Sequence, residues 1–404
     1  MKILHLTSEY PPHKVGGLGT HVDDLTRAQV KAGIEPIVIA CAFSGSQGYE
    51  NSDGVHVFRF DADNIPAEDF PSWALQMNVL MQNQAGKVIE EFKDISLIHA
   101  HDWLVATAAI GLKHIYRIPL LSTIHSLEEG RRGGIYEDRQ ELIHDIERKM
   151  VYESWRVITC SNFMKQSVCS SFYTPWDKID VIPNGVNMSK YDFNYDRYAE
   201  IRAKFALPHE KIVFFVGRHV WEKGVDVLVG AVQSVLKEVP EAKFVITGEG
   251  YMTDKCRDLT NQMGLRDKVL FTGYTDDDTL DALLHISDVI VIPSRYEPFG
   301  IVALEGMASR TPVVASDTGG LSEIIQHEVN GLKVWSGHSE SLAIGISRVL
   351  KDNGLKENIV TNAYNTVKST YNWQNIAGMT KSTYERIIDE YNKADWKPSP
   401  ELVR

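Results

Sequence analysis

The chain has 404 residues, 43% of them apolar and 24% charged, which is enough apolar material for two packed cores and excludes a disordered polymer. Its formal net charge of -12 repels nucleic-acid phosphates and anionic lipid over the surface as a whole, so a long phosphate backbone is excluded as a partner class. A local basic pocket for a phosphorylated small molecule remains compatible with that balance.

The N-terminal "MKILHLTSEYPP" carries one basic residue and an apolar strand too short for a secretory leader. No apolar run of about 18 residues occurs, so no integral membrane segment is expected and a reducing cytoplasm is the expected location. Cys41, Cys160, Cys169 and Cys256 lack metal-ligand spacing and read as free thiols. From there, short β-branched runs alternate with helical patterns, the signature of parallel sheets with crossover helices, and the fold class is α/β. Strands are predicted at "MKILHLT", "EPIVIAC", "VHVFRF", "LIHAH", "LLSTIH", "RVITCS" and "IDVIPN". The helix "HVDDLTRAQVKAG" ends on Gly33 as the residue past its C-cap. A second series starts at "KIVFFVGR" and continues through "KFVITGEG", "VLFTGY", "VIVIPS" and "TPVVAS". Two doubly wound domains fit better than one sheet: residues 1–191, residues 192–373 with the join near Asp192, and a helical tail, 374–404, returning to the first domain.

In open α/β sheets ligands sit beyond the carboxyl ends of the strands, so each strand-to-helix turn is a candidate site. In the first turn, "SEYPPHKVGGLGTHV", Gly16 and Gly17 bare the N–H groups of a helix start, which suits a phosphate or a sugar hydroxyl, and Lys14 adds a cation at the rim. A tight turn without ligand explains the glycines equally well. "HAHDW" and "STIHSLEEG" close two further strands and leave Asp102 and His125 at strand ends facing a cleft. His99 and His101 alternate along one strand, so one of them is expected to face the core; zinc on His99, His101 and Asp102 is not expected, because adjacent strand residues point to opposite faces.

The second series opens with "VGRHVWEKG", where Arg218 and Lys223 suit a diphosphate whose charge must be held as a bond to it breaks, although a solvated basic turn would look alike. "SRYEPFGIVALEG" puts Glu297 in a strand exit and Glu305 in the first turns of the next helix, both facing the same cleft. Phe299, Gly300 and Ile301 supply N–H groups at that helix start. Vicinal diols satisfy both oxygens of a carboxylate, which fits Glu297 to a sugar and Glu305 to a ribose. "VVASDTGGLSEII" repeats the device with Thr318, Gly319 and Gly320. The acidic triplets at 61–63 and 276–278 are not expected to hold metal, and none of the site residues forms a metal-ligand set.

These stretches together resemble the retaining glycosyltransferases of the GT-B fold, family four in particular, over nearly the whole chain. Glu297 and Glu305 match that family's E-x7-E pair, and "RHVWEKG" matches its Arg and Lys motif. "SEYPPHKVGGLG", "HAHDW" and "TIH" are similar to bacterial and archaeal glycogen synthases, whose Lys-x-Gly-Gly-Leu loop binds the nucleotide sugar and whose matching Asp and His lie beside the transferred glucose. The chain departs from those synthases in "GGLGTH", which lacks the acid that usually follows the loop.

The resemblance implies two Rossmann-like domains facing a central cleft. It implies transfer of a hexose, glucose first, from UDP-glucose or ADP-glucose to a glycan acceptor in polysaccharide biosynthesis, with retained configuration and without metal or cofactor. Glu297, His125, Asp102, Arg218 and Lys223 would be catalytic. Lys14, Gly16, Gly17, Phe299, Gly300, Ile301, Glu305, Thr318, Gly319 and Gly320 would bind the donor. Elongation of an α-1,4-glucan is one alternative; a glycan phosphorylase, a sugar-nucleotide epimerase and a non-catalytic glycan-binding protein are others, and peripheral membrane contact stays open.

Overall fold

The computed structural model of the chain describes residues 1–14, 16–191 and 195–396. The chain forms two compact units, one of Met1–Gly185 with the stretch from Trp373 onward, the other of Val186–Asn372. Asp192, the expected join, lies outside the described residues. The chain returns to the start of the second unit at its end, where the Val186 N–H donates to the Tyr371 carbonyl at 2.8 Å and Val186 bridges Asn372.

In the first unit the strands are β1 Lys2–Leu6, β2 Glu35–Ala42, β3 Gly48–Ser52, β4 Val55–Asp61, β5 Ile95–His101, β6 Leu120–Ile124, β7 Arg156–Thr159 and β8 Ile179–Val181. They form one sheet in the order β3-β4-β2-β1-β5-β6-β7-β8. The interior strands read as unbroken apolar runs because helices cover both faces. In β2 seven of eight residues, Pro36 to Ala42, are buried. The sheet is parallel except at one edge, where β3 pairs antiparallel with β4. The sequence reading missed β3, and the reason is visible in "GYENS", a polar and largely exposed edge strand without apolar alternation. The helix Gly17–Lys31 ends as expected, with Gly33 at φ +77°.

The C-terminal helix Trp373–Lys393 belongs to this unit and completes its core. Trp373, Ile376, Ala377, Tyr384 and Ile387 recur at helical spacing and pack with Ile3, Leu25, Ala28, Leu97 and Leu121. Full burial of such side chains contributes roughly 1.5–3 kcal/mol each, so this helix is part of the unit's stability.

The second unit holds β9 Lys211–Val216, β10 Ala242–Thr247, β11 Val269–Gly273, β12 Val289–Ile292, β13 Val313–Ser316 and β14 Leu332–Val334. All pair in parallel, in the order β11-β10-β9-β12-β13-β14. The three-residue β14 was also missed, being too short to show periodicity. Val225, Leu228, Val229, Val232 and Val235 form one stripe of the helix Val225–Glu238 and meet Phe244, Ile246, Val289 and Val291 of the sheet. Among the described residues no helix is long and apolar enough to cross a membrane.

Candidate active site

Each sheet has one place where the strand order reverses, between β1 and β5 in the first unit and between β9 and β12 in the second. At such a switch point the loops leaving the two strands diverge and open a crevice, the expected ligand site of a doubly wound sheet. In both units most of the residues singled out from sequence follow these strands, while His125 follows the neighbouring β6 and Thr318 to Gly320 the neighbouring β13.

In the second unit β9 leads into Gly217 to Gly224 and β12 into Pro293 to Gly300. The two exits lie so close that a Cβ on Gly224, at φ +68°, would stand 2.0 Å from the Pro293 carbonyl oxygen, so only glycine fits. The approach brings Lys223 Nζ to 2.7 Å from Glu297 Oε2, and Ser294 Oγ donates to the same oxygen at 3.1 Å. Sequence reading gave Lys223 to a phosphate and Glu297 to a sugar; the structure shows them as an ion pair, with the lysine side chain 26% and the glutamate 11% exposed. Arg218 is half-exposed and pairs with Glu222 at 3.2 Å. A second pair fixes the loop: Arg295 reaches both oxygens of Asp226 at 2.8 and 2.7 Å and lies over the Trp221 ring. Ser294, Asp226 and Arg295 carried no motif signal.

The helix Ile301–Ala308 follows, so Phe299 and Gly300 immediately precede it and Ile301 opens it. First-turn amides have no carbonyl partner inside a helix, and that end favours an anion. Glu305 is the fifth helical residue and half-buried. The loop after β13 corrects one expectation. The Thr318 and Gly320 N–H groups do not stand ready for a phosphate; they donate to the carbonyls of Ser316 at 3.0 Å and Glu297 at 2.9 Å. The cause is the tightness of the turn, since a Cβ on Gly320 would come within 2.5 Å of Phe299 Cα. Gly319 forms the bend between them at φ +52°. This loop therefore buttresses Glu297 through its backbone.

In the first unit Gly16 precedes the helix Gly17–Lys31 without a side-chain cap, and its N–H donates to Glu9 Oε2 at 3.2 Å. Gly16, Gly17 and Lys14 are exposed. Asp102 ends β5 in the opposite state. It is buried, with φ 65° and ψ 171°, a region that only glycine enters without strain. Burial pushes its carboxyl up to about 6, against the pull of Arg131 and of the backbone amides of His125 and Ser126. Arg131 stands 3.9 Å from Asp102 and 3.1 Å from Glu128. Behind them burial lifts Glu147 to about 8. His125 is half-buried past β6, and burial pushes its imidazole down to about 4.

Here too an expectation fails. His99 and His101 do not divide between core and cleft: residues two apart share a face, both are fully buried, and they join His5, His21 and His125 in one cluster. His5 Nδ1 lies 3.1 Å from His101 Nε2, and His101 Nδ1 lies 3.4 Å from His125 Nε2. His5 and His21 were not singled out, because nothing local in sequence marks partners 96 and 163 residues away. The acidic triplets lie at a strand end and a helix start: Asp61 ends β4 and Asp63 sits in the turn after it, while Asp276 caps the helix Asp277–Ile286 through the Thr279 N–H at 2.7 Å.

Residues 198–366 match the family described as Glycosyl transferases group 1, and residues 15–190 match Glycosyltransferase Family 4. An uncharacterized glycosyltransferase of Methanocaldococcus jannaschii is 44% identical over 392 residues, 96% of this chain and 99% of that protein. Glycogen synthase of Mycobacterium tuberculosis is 33% identical over 418 residues, covering 100% of this chain and 98% of the other. Among solved structures, sucrose-phosphate synthase of Thermosynechococcus elongatus superposes with a TM-score of 0.83 at 24% identity, over 96% of this chain and 99% of that one.

Proposed function

Since the chain belongs to glycosyltransferase family 4, with the GT-B fold and a nucleotide-sugar donor, we propose that it transfers glucose from UDP-glucose or ADP-glucose to a glycan hydroxyl in polysaccharide synthesis. The observation that carries this reading is the Lys223–Glu297 pair at 2.7 Å across the switch point of the second sheet. A cation and a carboxylate held together at one crevice suit a donor whose diphosphate needs positive charge and whose sugar needs hydrogen-bond acceptors. Glucose is supported by the whole-length likeness to glycogen synthase.

In this reading Lys223 and Arg218 take up charge on the leaving diphosphate, aided by the N–H groups at Gly300, Ile301 and Gly319. Phe299, buried beneath the same loop, holds that helix start in place. Glu305 accepts from the ribose hydroxyls and Glu297 from the sugar. Glu297 already accepts from Lys223 and Ser294, which makes it a positioning carboxylate rather than a free nucleophile. The bond from the anomeric carbon to phosphate oxygen breaks while the acceptor oxygen bonds on the same face. The acceptor proton passes to the departing phosphate oxygen, and configuration is retained. On the first unit, His125 contacts the sugar as a neutral imidazole and Asp102 orients the sugar or acceptor, with Lys14, Gly16 and Gly17 on the donor. A second reading, elongation of an α-1,4-glucan, is favoured by the same likeness to glycogen synthase.

A donor screen in excess EDTA tests the proposal, with UDP-glucose, ADP-glucose and GDP-mannose offered to maltooligosaccharide and to other glycans. The expected result is consumption of a glucosyl donor and an α-linked product by NMR. Preference for GDP-mannose would overturn glucose. Activity lost with EDTA and restored by manganese would overturn charge stabilisation by side chains alone.

A further inference from the structure

The histidine cluster of the first unit does more than fill space. Its hydrogen bonds fix most of the tautomers. Gln29 gives its amide N–H to the Tyr384 hydroxyl at 2.8 Å, so its Oε1 faces His5 Nε2 at 2.9 Å and accepts from it. His5 Nδ1 is then the acceptor for His101 Nε2–H, and His101 Nδ1 is left with a lone pair on the side of His125. His99 is engaged at both nitrogens, by the Tyr384 hydroxyl and by Thr123 Oγ1, each at 2.7 Å. His21 Nδ1 donates to Asn184 Oδ1 at 2.7 Å, which leaves its Nε2 with a lone pair too. That nitrogen is buried without a hydrogen-bond partner among the described residues, on a side chain only 6% exposed.

An orphaned lone pair in the interior calls for an explanation. One nitrogen each of His21, His101 and His125 lies within 4.8 Å of the others. The His101–His125 separation of 3.4 Å compares with about 3.3 Å between two nitrogens bound at about 2.0–2.1 Å to a tetrahedral zinc. We propose that His21, His101 and His125 form a site for zinc or a like imidazole-seeking transition cation, with its fourth position open where His125 is half-buried.

The outer partners fit a metal centre. Ligating histidines usually donate their second N–H to a fixed acceptor, as His21 does to Asn184 and His101 to His5. The neighbouring trio His5, His99 and His101 is a different case, since both nitrogens of His99 are engaged by groups outside it, whereas the facing nitrogens of His101 and His125 meet only each other, at 3.4 Å. Zinc on His125 would exclude the sugar from it, a consequence that rests on the functional reading above; metal binding is measured without substrate, so the two ideas fail separately.

Cobalt(II) titration of the chelator-treated full chain tests the site, followed by displacement with zinc(II). One equivalent of cobalt should give the intense visible bands of four-coordinate geometry, bleached by one equivalent of zinc. His125→Ala, at the mouth and least disruptive to folding, should abolish the bands. Asn184→Leu should weaken zinc binding about ten- to a hundredfold, the usual effect of losing an outer partner. His209→Ala, on an exposed histidine of the other unit, should change nothing. Weak octahedral bands only, or bands that survive His125→Ala, would overturn the proposal.

Discussion

At the scale of single residues, the ion pair between Lys223 and Glu297 changes what substitution should show. A lysine already neutralised by a carboxylate at 2.7 Å delivers its full charge to a phosphate only as the leaving group becomes more negative than the glutamate. Lys223→Ala should therefore lower kcat on the order of a hundredfold or more. Glu297→Gln should also depress kcat while nucleoside diphosphate binding stays near normal. Because each side chain holds the other in place, the double variant should lose much less than the product of the two single losses. Glu305, half-buried on the helix, is assigned to the ribose, so Glu305→Gln should mainly raise donor KM. Steady-state kinetics on the four proteins separates these outcomes. Multiplicative losses at Lys223 and Glu297 would mean that they act independently, and a reversed pattern at Glu297 and Glu305 would exchange their roles.

At the scale of elements, the candidate site residues concentrate where strands end, and one of those exits holds a strained backbone at Asp102. Asp102 holds φ 65° and ψ 171° at the end of β5, a conformation that costs a non-glycine residue about 1–3 kcal/mol. It also keeps a buried carboxyl whose value of about 6 lies above the ordinary carboxylate range of about 3.9. A carboxyl raised on folding takes stability away as pH climbs from the unfolded to the folded value. Asp102→Gly should therefore stabilise the fold by about 1 kcal/mol or more at pH 7, less at pH 4, while transfer falls. Thermal melts at both pH values check this; a destabilised variant would show that the amides of His125 and Ser126 depend on the carboxylate more than strain opposes it. The exits themselves were legible in the sequence, because runs such as "KIVFFV" and "VIVIPS" announce strands covered on both faces, and Arg218 and Lys223 follow the first and Glu297 the second. Strands β3 and β14 were not, being polar or three residues long. Nor was any partnership across long separations, such as Lys223 with Glu297 at 74 residues or His21 with Asn184 at 163, since periodicity reports only local structure.

At the scale of the whole molecule, the two units should respond unequally to acid. The first buries His5, His21, His99, His101 and His125, all held below the ordinary histidine value chiefly by burial, His5 to about 3 and His125 to about 4. These groups bind protons in the unfolded chain before they do in the folded one, so stability falls as pH drops below about 6.5. Each contributes a slope of up to about 1.4 kcal/mol per pH unit. Asp102 and Glu147 work in the opposite sense, because their folded values of about 6 and about 8 favour the protonated fold as pH falls. Two carboxyls against five imidazoles leave a net loss. In the second unit His219 is the only histidine shifted this way among the described residues, to about 4 by burial, so that unit has far less to lose. Native-state hydrogen exchange in steps from pH 7.5 to 5 should show amides of β1, β5 and β6 losing protection before those of β9 and β12. Simultaneous loss, or earlier loss in β9 and β12, would rule out the histidine cluster as the acid trigger. Saturating zinc should shift the loss in the first unit to lower pH, because a metal on His21, His101 and His125 competes with the protons that unfolding would admit.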